Sequence, residues 1–103
     1  MAKYRFTTDA QADLIKIRHY TLKHWSVQQS EKYLLDLQQT IILLAEAPKM
    51  GIKRADISVD TFSFPHASHV IYYLIQQQYV LFYAVLHKNM VPNIHLANRS
   101  IDY

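Results

Sequence analysis

Three imidazoles and three cations hold most of the chemistry open to this chain. His66 and His69 stand three residues apart, and His87 closes the apolar run that follows. Lys53, Arg54 and Lys88 lie just outside that stretch. One chemistry for such a set is proton transfer at a phosphate ester, where an acid or base works beside cations that stabilise charge on the phosphoryl oxygens. The set is thin for that task. The segment TFSFPHAS before His69 contains no Lys or Arg, and neither does the whole stretch 69–87. The other chemistry is metal binding. The chain has no Cys, and no supporting carboxylate stands beside these histidines, so neither a metal nor any other cofactor is expected. His69 and His87 read instead as caps that hydrogen-bond the ends of strands. His19 and His24 read as solvated helix residues, and His95 stays open.

The elements that would position these residues follow from apolar patterning. HVIYYLI (69–75) and YVLFYAVL (79–86), separated by Gln76-Gln77-Gln78, are rich in Val, Ile, Tyr and Phe and read as paired strands. Both carry apolar residues at odd and even positions, so both faces of their sheet need cover. Residues 3–7 alternate and suit a first strand. Thr8 followed by Gln11 has the form of a capping box, ahead of a stripe of Ala10, Leu14, Ile17 and Thr21 that Ile15 and Leu22 widen. Asp13, Lys16 and Arg18 fall outside that stripe. Ser26 followed by Gln29 opens a second helix whose stripe runs Ser30, Leu34, Leu37, Ile41 and Leu44, with Tyr33, Ile42 and Ala45 on its flanks. It should end before Pro48. Only a few residues around Trp25 link the helices, so they must lie antiparallel. Residues 53–57 and 61–64 read as short strands, with Pro65 marking an edge or a bulge. After Pro92 the chain reads either as a short helix opened by the proline or as a final extended piece, the helix being favoured. The expectation is one α+β domain over residues 1–103: an N-terminal strand, then an antiparallel helical hairpin packed on a small antiparallel β-sheet.

Composition narrows the classes. Half of the residues are hydrophobic, with one Gly and three Pro, which excludes a disordered chain. The net charge of +3 is mild and suits a solvated surface, a nucleic-acid surface or an acidic protein partner alike. No apolar stretch approaches the roughly 20 residues of a membrane span. The charged start MAKYRFTTDAQADL does not resemble a secretory leader. A cytoplasmic protein without membrane contact is expected.

With these pieces in order, the chain resembles a ParE-type toxin of the RelE/ParE toxin–antitoxin superfamily. The resemblance rests on the first strand, Ala12-Asp13-Leu14 with Ile17 and Tyr20, Trp25, residues 33–37, and Leu44-Ala45. It continues through Pro48, Gly51, Arg54 with Asp56-Ile57, residues 69–73, Val85-Leu86-His87, Met90 and His95-Leu96. It implies a type II toxin that arrests growth and is neutralised by a cognate antitoxin, whose C-terminal segment wraps it. One branch of the superfamily cleaves mRNA on the ribosome; the other inhibits DNA gyrase by binding it. The poverty of cations around His69 and His87 favours the gyrase branch, with no catalytic residues and no direct nucleic-acid binding by the toxin alone. A ribosome-dependent RelE-like endoribonuclease is the alternative, and a non-toxic binding module on the same fold is the second.

The partner-binding candidates are Arg54, His69, His87, Lys88, Asn89 and Met90. Arg54 reads either as a surface charge on an edge strand or as a contact for an acidic partner. Lys88 and Asn89 form either a solvated turn or a contact presented by a rigid scaffold. Met90 either tucks under the sheet or offers a pliant thioether to a partner. The helical hairpin covers one sheet face, so exposed aromatics are expected on the other, covered by the antitoxin or by a second toxin copy. A homodimer and a toxin–antitoxin hetero-oligomer both stay open.

Overall fold

A computed structural model describes residues 3–99. The order of elements is β1 (Tyr4–Phe6), α1 (Thr8–His24), α2 (Val27–Glu46), a single 3₁₀ turn (Pro48–Met50), β2 (Ile52–Lys53), β3 (Thr61–His66), β4 (His69–Ile75), β5 (Val80–His87) and α3 (Pro92–Leu96). The five strands form one sheet in the order β1-β5-β4-β3-β2. Strands β2 to β5 pair antiparallel as expected, whereas β1 joins β5 in parallel, so the sheet is mixed. The parallel pairing follows from the connection: β1 leads through both helices and three strands before β5 returns beside it.

Both helices start at side-chain caps. Thr7, not Thr8, caps α1, its hydroxyl accepting the Ala10 N–H at 3.1 Å. Ser26 caps α2 by accepting the Gln29 N–H at 3.1 Å. Trp25 alone separates the end of α1 from that second cap, and Thr21 and Ser30 join the helices through a buried 2.6 Å hydroxyl–hydroxyl bond. α2 stops two residues before Pro48, where the proline ring would clash with a continuing helix. Gly51 is needed for space. A Cβ there would collide with the Tyr73 hydroxyl, which donates to the Pro48 carbonyl at 2.6 Å.

The helix-covered face of the sheet holds Ile71, Tyr73, Val80, Phe82 and Val85 against Ile17, Leu37, Ile41 and Leu44. Ile15, Leu22 and Ile42, expected to widen the buried stripes, lie on the exposed side of the hairpin. Asp13, expected outside the stripe, is buried within it between Ala10 and Ile17. Residues 54–57 form a turn rather than a strand, since the Ile57 and Ser58 N–H groups both bond back to the Arg54 carbonyl. Pro65 sits on the outer side of β3 beyond the reach of two-residue β2, so its missing N–H costs no ladder bond.

The opposite face was expected to expose aromatics. Instead, Tyr72, Leu74, Leu81, Tyr83 and Leu86 are buried there, with Leu96 of α3 against them and Ile57 and Met90 at the margin. A register shift opposite Tyr72 and Tyr73, which pair with Ala84 and Phe82, leaves Tyr83 as an extra residue on β5. Such a bulge turns two successive side chains, Tyr83 and Ala84, to this face.

Candidate functional site

Three of the candidate residues meet at one end of the sheet. His69 opens β4 and His87 closes β5; they are register partners, their rings 5.6 Å apart and nearly perpendicular. Met90 follows in the next turn, and all three line a pocket of about 340 Å³ between α1, the end of β5 and α3. Its wall and floor include Ile17, Val85 and Leu86, and its rim includes Lys16, Tyr20 and His95.

His69 is held in one state. The tight hairpin at Ala67-Ser68, with Ala67 at φ 51°, places it directly across from His66. Its Nδ1 lies 2.6 Å from the Tyr33 hydroxyl, which also sits 3.3 Å from the His66 carbonyl. Tyr33 thus bridges the two residues, its hydroxyl donating to the His66 carbonyl, which can only accept. Burial, and to a lesser degree the neighbouring His87 and His66, lower the His69 pKa to about 4, so the ring is neutral at pH 7. Burial also pushes the Tyr33 phenol up and His66 down. His66 Nδ1 lies 3.0 Å from the Thr40 hydroxyl, and His87 Nδ1 accepts the Asn89 N–H at 3.2 Å. The expected strand-end cap is present at His87, whereas the His69 ring bonds the Tyr33 side chain of α2 instead. His19 and His24 are exposed, and His24 packs on Tyr20 with ring centroids 4.3 Å apart.

The pocket also contains a part-buried ion pair between α1 and the segment after α3. Arg99 forks onto both oxygens of Asp13 at 2.6 and 2.9 Å, and it also donates to the Tyr83 carbonyl at 3.1 Å. Asp13 Oδ2 accepts the Val85 N–H at 2.9 Å as well. The Asp13 bond holds the Arg99 pKa above its ordinary value. One signal pointed to it: a lone acid at the spacing of the buried stripe of α1 needs a partner.

The remaining candidates lie elsewhere. Lys88 and Asn89 are exposed in the turn after β5, where the Lys88 N–H bonds the Ser68 carbonyl at 2.8 Å. Arg54 stands at the far side of the sheet in a bidentate pair with Asp56 at 2.9 and 3.0 Å. It also donates to Ser63 at 3.2 Å and lies 5.8 Å from the Tyr72 ring centroid. Arg54 is thus neither a plain surface charge nor part of the His69 pocket. Among the described residues, no group of three or more His, Asp or Glu side chains could hold a metal ion.

The fold agrees with the comparisons. Residues 4–92 match the family described as ParE toxin of type II toxin–antitoxin system, parDE. The chain is 34% identical over 96 residues to Toxin ParE1 of Caulobacter vibrioides, covering 93% of this chain and 99% of that protein. It is 30% identical over 90 residues to Toxin ParE1 of Mycobacterium tuberculosis, covering 86% and 92%. A chain of the chromosomal ParDE TA system from P. aeruginosa superposes with a TM-score of 0.73 at 13% identity, over 84% of this chain and 96% of that one, a likeness of fold. The chain belongs to the ParE toxin family of type II toxin–antitoxin systems. No helix among the described residues is long and apolar enough to cross a membrane.

Proposed function

We propose that this ParE-family toxin arrests growth in the cytoplasm by binding DNA gyrase, and that a cognate antitoxin neutralises it. The observation that carries this reading is the commitment of its polar groups to structure. Arg99 is neutralised by Asp13 and Arg54 by Asp56. His69 is neutral and bonded through Nδ1 to Tyr33. A ribonuclease needs cations and a proton-transfer group free to meet a phosphate in the transition state. A binding protein needs exposed contact surface, and Ile15, Leu22, Leu35 and Ile42 provide it on the outer side of the helical hairpin. His69, His87 and Met90 in the pocket, Lys88 and Asn89 on its neighbouring turn, and Arg54 at the opposite end are the proposed partner contacts.

A supercoiling assay tests the reading. Purified toxin should abolish supercoiling of relaxed plasmid by gyrase, and co-purified antitoxin should restore it. Unaffected gyrase, together with cutting of message on ribosomes, would assign the toxin to the nuclease branch instead.

A further inference from the structure

We propose that the outer face of the helical hairpin pairs with the same face of a second copy of this chain, α1 of each copy lying on α2 of the other. This second partner is additional to gyrase and takes the exposed apolar face described above.

The face is a seam with a charge of each sign set into it. Ile15 and Leu22 of α1 stand seven residues apart, as do Leu35 and Ile42 of α2, and all four are exposed. That spacing puts each pair on one side of its helix. Arg18 lies three residues after Ile15 and four before Leu22, and Glu31 lies four before Leu35, so both charges fall in the same seam. Both side chains are exposed, and neither is in an ion pair among the described residues. The buried bond between Thr21 and Ser30 fixes the level at which the antiparallel helices pass. Arg18, three residues before Thr21, comes level with Tyr33, three after Ser30, and so lies within one helical turn of Glu31.

Charge selects the occupant and its orientation. With Asp13 neutralised by Arg99, α1 carries Lys16, Arg18 and Lys23 against Asp9 and is net positive. α2 carries Glu31, Asp36 and Glu46 against Lys32 and is net negative. A uniformly acidic or uniformly basic segment would match one helix and be repelled by the other; a second copy matches both. Two copies can meet face to face about two kinds of two-fold axis. An axis across the helices sets α1 on α1 and α2 on α2, like charge on like. An axis along the helices sets α1 on α2 of the other copy and preserves the levels, so Arg18 of each faces Glu31 of the other. The product is an antiparallel four-helix bundle with an isologous interface.

Size sets the strength. Helices of 17 and 20 residues are about 25–30 Å long, and two side by side are about 20 Å across. Such a face covers about 500–600 Å² on each copy, at the low end for a specific interface, so the dimer is reversible with a Kd of about 10–100 µM. Pairing hides the apolar face in free toxin, and a target that uses this face must displace the second copy.

Sedimentation equilibrium on the full chain between about 5 and 500 µM tests this without gyrase. The mean mass should rise from that of one chain towards that of two, and about 0.5 M salt should move the midpoint to higher concentration. Arg18→Glu and Glu31→Arg should each weaken pairing about tenfold or more, because each sets like charges opposite. Mixed in equal amounts, the two variants should pair again, because every contact in the mixed dimer joins opposite charges. Leu35→Gln, on an exposed helix position that leaves the core untouched, should also weaken pairing about tenfold. A single-chain mass throughout the range, charge variants that pair like wild type, or a mixture no tighter than its components would each overturn the proposal. Gyrase inhibition by wild-type toxin is scored separately, so the dimer can fail while the gyrase reading stands, and the reverse.

Discussion

The two faces of the sheet are closed by different physics. Under the helical hairpin, Leu37, Ile41 and Leu44 of α2 meet Tyr73, Phe82 and Ile71, and the seal is apolar burial. The other face, with Tyr72, Leu74, Leu81, Tyr83 and Leu86 buried on it, is covered only by short elements, five-residue α3 and the turn after β2. Polar ties hold them. Arg99, beyond α3, is fastened to Asp13 on the helical side of the molecule, and Arg54 holds the turn through Asp56. A chain of hydroxyls runs from Ser58 to Thr61 at 2.6 Å and on to Tyr83 at 2.8 Å. The helical face should therefore tolerate loss of single polar groups, and the α3 face should not.

The largest expected break in that contrast is Asp13→Ala. It leaves half-buried Arg99 without its counter-charge and the Val85 N–H without an acceptor, and should cost about 2–4 kcal/mol. Urea unfolding at pH 7 measures it, and a cost below about 1 kcal/mol would mean the pair contributes little to closing the far face. An apolar cost of similar size requires a large truncation on the helical face, such as Leu44→Ala at about 2–5 kcal/mol.

Acid should reveal the next effect. His69 has a folded pKa of about 4, below its ordinary 6.5, so the unfolded chain binds the proton first. Its contribution is complete above pH 6.5 and is lost as pH falls towards 4, by up to about 3 kcal/mol. His66, also lowered by burial, acts in the same direction. Denaturation midpoints of wild type and His69→Gln between pH 7 and 4 should converge as pH falls; parallel curves would contradict the assignment.

Gly51→Ala should cost about 1–3 kcal/mol, because the added methyl displaces the Tyr73 hydroxyl from the Pro48 carbonyl. Pairing it with Tyr73→Phe, which removes the clashing oxygen, should make the two costs less than additive. The smallest change is a gain. Ala67 adopts φ 51°, a left-handed conformation that strains a residue with a Cβ, and Ala67→Gly should stabilise the hairpin by about 0.5–1 kcal/mol. Thermal melts resolve a shift of that size.

How much of this could be read from sequence depended on range. The strands 69–75 and 80–87, the Ser26 cap, the end of α2 before Pro48 and the short helix at Pro92 are local patterns, and sequence reasoning located them. The cover of the far face was not legible, because it is assembled across long separations. Asp13 and Arg99 lie 86 residues apart, and Tyr33 and His69 lie 36 apart. No periodicity links such pairs. The bulge at Tyr83 is hidden for a related reason: in a strand apolar on both faces, an inserted residue leaves no break in the pattern. Residue type and position mark His69, His87 and Met90 in the sequence, but not Lys16, Tyr20 and Asp13 on α1, because only the tertiary fold brings that helix beside β5.

Under the proposed function, the toxin works by occupying gyrase and not by turnover. Titrating purified toxin against a fixed quantity of gyrase in a supercoiling assay tests it most directly. Inhibition that reaches completion near one toxin per target subunit, and does not deepen with time, is the predicted result. Full inhibition at far below stoichiometric toxin, growing with incubation, or no inhibition beside efficient cutting of message, would contradict it.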